Sequence, residues 1–246
     1  MLLQSTLHAQ DLRLPRLFSD HMVLQRETPL KFWGWDTPGQ NVSISLNGIE
    51  EITTTNNDGY WQLYFPEQTA GGPNQIIISG SESITLNDIY FGDVWIAGGQ
   101  SNMEWKFSWV VDGWEEEVAN SDFPEIRFFE VENDLSYKKE QHLGSGEWKI
   151  ASPDNSPEFS AVAWYFAKQN HLEKGVPVGI IDSNWGGTPA ESWTPTDKLQ
   201  TVPGYEQEAK EILAETNGIL SSGLTEPFIL SPEDTCIILP SLTEKS

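Results

Sequence analysis

The chain has 246 residues, of which 38% are hydrophobic and 21% charged, with a formal net charge of −23 at pH 7. That balance supports one large or two modest packed domains and excludes global disorder. A surface this acidic lacks the basic footprint that nucleic acid or an anionic membrane requires, and the single cysteine, Cys236, rules out an intrachain disulfide.

In chain order, the first ten residues, MLLQSTLHAQ, read as the tail of a signal peptide, with Leu2, Leu3 and Leu7 in the apolar part and Ala9 at a small-residue cleavage position. They predict a secreted or periplasmic protein. Residues 11–90 read as short strands joined by tight turns. Val42, Ile44 and Leu46 alternate with polar residues up to a hairpin turn at Asn47–Gly48. The β-branched run from Ile52 follows, then a turn at Asp58–Gly59 and a second alternation through Trp61, Leu63 and Phe65. Ile76 to Ile78 end at Gly80, and Ile84 and Leu86 alternate after it. This spacing predicts a small antiparallel β-sandwich domain.

The pattern changes near Asn87. Asp93 to Ala97 is a short apolar run of the kind buried on both faces of a sheet, broken by Gly98–Gly99. Residues 114–119 can form a helix, and Ile126 to Val131 a second strand. Ser156–Pro157 is a helix start, and Phe159, Val162, Ala163, Phe166, Ala167 and Asn170 recur at helical spacing up to a stop at Gly175. Val178 to Asp182 is a third buried strand. Strand, helix and strand in alternation predict a parallel α/β sheet over residues 91–246. Tyr205 to Thr216 can be a further helix, and Ile237 to Leu239 is a short apolar run in an otherwise unorganised tail.

The chemistry concentrates in two segments. In the first, a buried strand ends in two glycines and Ser101 follows, which lets a hydroxyl stand at the carboxyl end of the sheet, where open α/β sheets bind ligands. The residues after it, Asn102–Met103, depart from the G-x-S-x-G elbow. On chemistry alone, a turn or helix-cap serine is the better account. No Cys or His cluster has metal-ligand spacing, and neither a Walker loop nor a Rossmann fingerprint is present, so no metal or cofactor is expected.

The stretch from Gly98 to Trp105, GGQSNMEW, resembles the first conserved block of the SGNH hydrolases, in the form found in the sialate O-acetylesterase family. Phe18 to Arg26, Phe32–Gly34 and Asp58–Trp61 resemble that family's N-terminal β domain, and Val178 to Trp193 resembles its second block. The resemblance implies a partial SGNH-type α/β/α parallel sheet preceded by the antiparallel sandwich. It implies a serine esterase that removes O-acetyl groups from a carbohydrate, 9-O-acetylated sialic acid in the first place, with an acetylxylan as the alternative substrate. Ser101 would be the nucleophile, with Gly187 or Gly186 supplying an oxyanion amide beside the Ser101 N–H. Gln100, Asn102, Glu191 and Trp193 would border the substrate pocket.

Two of the family's blocks have no match, the Gln-Gly-Glu segment and the late Asp-x-x-His that carries the general base. His8, His21, His142 and His171 all precede the second block, and His142 is the least implausible substitute. The sequence therefore reads as a truncated or frame-shifted form of such an enzyme. A non-catalytic sugar-binding product is the alternative, and a structural adhesion sandwich is a weaker one that leaves GGQSN unexplained. Oligomeric state is left open.

Overall fold

The alternation in residues 30–65 becomes two antiparallel ribbons. Strand β3 (Asn41–Leu46) buries Val42, Ile44 and Leu46 and turns through Asn47 and Gly48, at φ 50° and 79°, into β4 (Ile49–Thr54). Both turn residues sit in the left-handed region that a two-residue hairpin needs. Strands β2 (Leu30–Trp35) and β5 (Tyr60–Phe65) pair separately and supply Phe32, Trp61 and Phe65 to a common core. Asn56 caps the turn before β5 by accepting the Asp58 and Tyr60 N–H groups, while Gly59 takes φ 77°.

The computed structural model describes residues 11–110, 113–134 and 143–220. The signal-like residues 1–10, His142 and the apolar run at 237–239 lie outside the described residues.

Strand β7 (Ser83–Gly99) joins the two halves of the molecule. Its first part pairs antiparallel with β6 (Gly71–Ser79) and parallel with the short β1 (Val23–Gln25). From Asp93 onward it pairs parallel with β10 (Val178–Asn184), which pairs in turn with β8 (Phe123–Glu130), and β9 (Trp148–Ala151) closes the edge antiparallel. The sequence suggests one strand around residues 84–86 and another at 93–97. They are one continuous strand, running through the position at which the composition changes. Gly92 lies at the changeover, where a Cβ would meet the Pro177 carbonyl oxygen at 2.0 Å. Only glycine permits that approach.

Charge secures the junction. Asp93 accepts from Arg26 Nε and Lys174 Nζ, both at 2.8 Å, which ties β1 and helix α4 (Ala161–Lys174) to β7. Arg127, 1% exposed, donates to the backbone oxygens of His21 at 3.0 Å, Asp88 at 2.8 Å and Pro124 at 2.9 Å, and pairs with the Asp88 carboxylate at 2.9 Å.

Helix α4 differs from the sequence reading in two ways. Ser156 to Glu158 form a separate 3-10 turn and Phe159 is extended, so the helix begins at Ala161 with Ser160 as its cap, accepting the Ala163 N–H. The buried face is Ala161, Ala163, Trp164 and Ala167, whereas Val162 and Phe166 are exposed at 53% and 41%. Small residues let the helix lie close on the sheet, and the larger apolar side chains flank the contact. Gly175 ends the helix at φ 63°, as its position predicts. Helix α3 (Trp114–Ala119) and helix α6 (Glu206–Leu220) also fall where the pattern places them. No described helix is long and apolar enough to cross a membrane.

Candidate active site

The carboxyl ends of β7 and β10 lie side by side, with Gly98 opposite Ser183 and Gly99 opposite Asn184. The Trp185 N–H extends the ladder to the Gly99 oxygen at 3.0 Å. Gly99, at φ 153°, then releases the chain into a short helix, α1 (Ser101–Glu104). Ser101 therefore heads a helix at the sheet's carboxyl edge. It is half-buried, and its hydroxyl has no hydrogen-bond partner among the described residues.

The two glycine-containing segments meet there. A Cβ on Gly186 would lie 3.4 Å from Ser101 Cα. Gly186 donates its N–H to Glu104 Oε2 at 2.9 Å, so that amide already has an anionic partner. Gly187 is exposed at φ 79° with open space around it. Gln100 donates its side-chain amide to the Thr188 carbonyl, and Thr188 Oγ1 accepts from Trp193 Nε1 at 2.8 Å. These bonds splice the first segment to the second. Glu191 accepts from the Tyr205 hydroxyl, and Asn102 is exposed at the surface.

Both described imidazoles lie at the other end of the sheet. His171 is held by the Val176 carbonyl at 2.8 Å, just before β10 begins. His21 is held by Asp88 at 2.7 Å. The seven residues of β10 separate that end from Ser101, roughly 20 Å at about 3.3 Å per residue. Neither can take the Ser101 proton from there.

Next to α1 is a cavity of about 320 Å³, walled in part by Glu104, Asp182, Asn184 and Ser160. None of the pocket residues suggested by the sequence lines it. Asp182 and Asn184 share a face of β10, and the Asn184 amide donates to the Asp182 carboxylate. Burial pushes the Asp182 carboxyl up to about 7, helped by the charge of Glu130; the bonds from Asn184 and the Ser160 N–H, and the charge of Lys106, oppose it. Lys106 is raised: burial works against its charge, and Glu158 at 2.7 Å with the nearby carboxylates outweighs that. The period-2 spacing of Asp182 and Asn184 in a buried strand was the available signal for this wall. Among the described residues no group of His, Cys, Asp and Glu could hold a metal ion.

Asp182 makes stability fall as pH rises. The folded carboxyl keeps its proton to about pH 7, whereas the unfolded one releases it near 4. Between those values the native state binds more protons, which favours folding at the lower end and is lost toward the upper. Asp182→Asn should therefore gain stability relative to the parent between pH 5 and pH 8, by about 3 kcal/mol. Urea denaturation at both pH values checks this; the same difference at pH 5 and pH 8 would remove the assignment.

The family model "Carbohydrate esterase, sialic acid-specific acetylesterase" matches residues 91–221. The chain is 29% identical over 225 residues to sialate O-acetylesterase of Mus musculus, covering 80% of this chain and 40% of that protein. It is 28% identical over 240 residues to sialate O-acetylesterase of Rattus norvegicus, covering 88% and 44%. Among solved structures, a carbohydrate acetylesterase from Xanthomonas citri superposes with a TM-score of 0.75 at 37% identity, over 77% of this chain and 44% of that one. The chain thus spans 40–44% of the length of these relatives.

Proposed function

The chain belongs to the sialic acid-specific acetylesterase family of carbohydrate esterases, and from that premise we propose that Ser101 accepts an acetyl group from an O-acetylated sugar. The observation that carries this reading is the meeting of Ser101 with the Gly186–Gly187 turn at the carboxyl edge of the sheet. Ser101 Oγ attacks the ester carbonyl, and the developing oxyanion is met by the Ser101 and Gly187 amides. Gly187 is preferred over Gly186, whose N–H is turned to Glu104. The tetrahedral intermediate collapses with loss of the sugar oxygen, which leaves with a proton, and water then releases acetate from the acyl-enzyme. The Ser101 proton needs an acceptor, and in this reading the acceptor lies outside the described residues. Export from the cytoplasm accompanies this reading.

The distance of both described histidines from Ser101 favours a second reading, a sugar-binding homologue without turnover. Fluorophosphonate labelling tests the first. After digestion, mass spectrometry should find the adduct on the peptide carrying Ser101. An adduct confined to other serines of the folded chain would discard the nucleophile.

A further inference from the structure

The cavity beside α1 is strongly anionic. Glu104, Glu130, Glu132 and Glu158 contribute carboxylates to its wall, Asp182 adds a carboxyl that keeps its proton to about pH 7, and Lys106 is the one cation among the described lining residues. Lys106 is already engaged by Glu158 at 2.7 Å. Trp109 lies in the same lining, 62% exposed, with Lys106 Nζ 5.4 Å from its ring centroid. Trp109 belongs to helix α2 (Phe107–Val110), the next turn of chain after the helix that Ser101 heads. The wall continues to the nucleophile, since Glu104 both lines the cavity and binds the Gly186 amide.

Each feature selects in the same direction. Sugar hydroxyls donate hydrogen bonds, and ionised carboxylates are their strongest acceptors. An open indole offers a flat apolar surface to the C–H face of a pyranose ring. A carboxylate on the ligand would enter a field set by like charges well inside one Debye length, and among the described lining residues the one cation, Lys106, is already paired with Glu158. The charge of the whole chain, −23, adds to that field at long range.

Resting on the reading of Ser101 as acceptor of a sugar's acetyl group, we propose that this site takes uncharged O-acetylated pyranosides and discriminates against acidic sugars. Trp109 stacks under the ring, and the cavity carboxylates accept its hydroxyls. Of the two substrate classes that the sequence suggests, this selects the acetylxylan type over the sialate type for this chain.

The test uses two mono-O-acetylated methyl pyranosides that differ only in the exocyclic carbon, a hydroxymethyl in one and a carboxylate in the other. Each is titrated as a protectant against fluorophosphonate labelling of Ser101. The uncharged sugar should protect at a concentration roughly 10-fold or more below the acidic one. Raising the salt concentration should narrow that gap, as should the double variant Glu130→Gln/Glu132→Gln, at two exposed positions. Trp109→Ala should weaken protection by the uncharged sugar roughly 10-fold. Equal protection by the two sugars, or protection unaffected by Trp109→Ala, overturns the proposal while leaving the nucleophile in place. Should Ser101 fail to label, the esterase reading falls. The same pair titrated by tryptophan fluorescence then decides the preference on its own, and equal or absent binding rejects it.

Discussion

Ser101→Ala is expected to cut covalent capture of a fluorophosphonate by about 10³-fold or more, to the background of ordinary surface hydroxyls. The size follows from what the site retains with no described imidazole in reach. A preorganised oxyanion pocket keeps part of a serine hydrolase's acceleration when a triad member is missing, and that remainder acts through the Ser101 oxygen. Alanine removes the oxygen and leaves the amides in place. The substitution should be nearly silent in stability, within about 0.5 kcal/mol, because the hydroxyl has no hydrogen-bond partner among the described residues. Labelling rate, read beside the urea midpoint, separates chemistry from unfolding. Equal labelling of both proteins would end the assignment of Ser101.

Where local pattern alone decides a structure, the sequence carried it. The alternation in β3 and β5 and the Asn47–Gly48 turn are two-residue effects, legible from neighbours. The apolar runs that became β7 and β10 were legible for the same reason, although their extent was not. The meeting of Ser101 with Gly186 came through family resemblance; residue chemistry alone favoured a turn or helix-cap serine at 101. What stayed hidden depends on tertiary packing. The buried side of α4 is Ala161, Ala163, Trp164 and Ala167, so the helical spacing found Ala163 and Ala167 but set Val162 and Phe166 beside them in place of Ala161 and Trp164. Asp182 is an acid by sequence, and keeps its proton to about pH 7 only because the fold buries it, with the charge of Glu130 nearby. The short edge strand β9 has too few residues to show a period.

Arg127→Met should cost about 3–5 kcal/mol of stability, because a side chain 1% exposed serves several polar groups at once. Methionine fills much of the space but donates nothing. The carbonyls of His21, Asp88 and Pro124 lose their donor, and the Asp88 carboxylate loses its nearest cation. Most of the loss falls on the three carbonyls that Arg127, 1% exposed, serves from the interior, while Asp88, 29% exposed in its side chain, adds a smaller part. His21 remains on Asp88 but is partly exposed and holds a charge only when protonated. Asp88→Asn in the same background should recover part of the loss by removing the stranded charge. Urea or thermal denaturation of the three proteins gives the comparison; a change within about 1 kcal/mol for Arg127→Met would show that water replaces the guanidinium.

The single backbone of β7, shared by an antiparallel ladder on one side of Gly92 and a parallel one on the other, couples the melting of the two sheets. Neither ladder can dissolve without baring half of a strand that the other still holds, so heat should take the chain apart in one cooperative step. Dissection at residue 90, the break that composition invites, would cut a hydrogen-bonded strand in its middle and leave each piece with a frayed end.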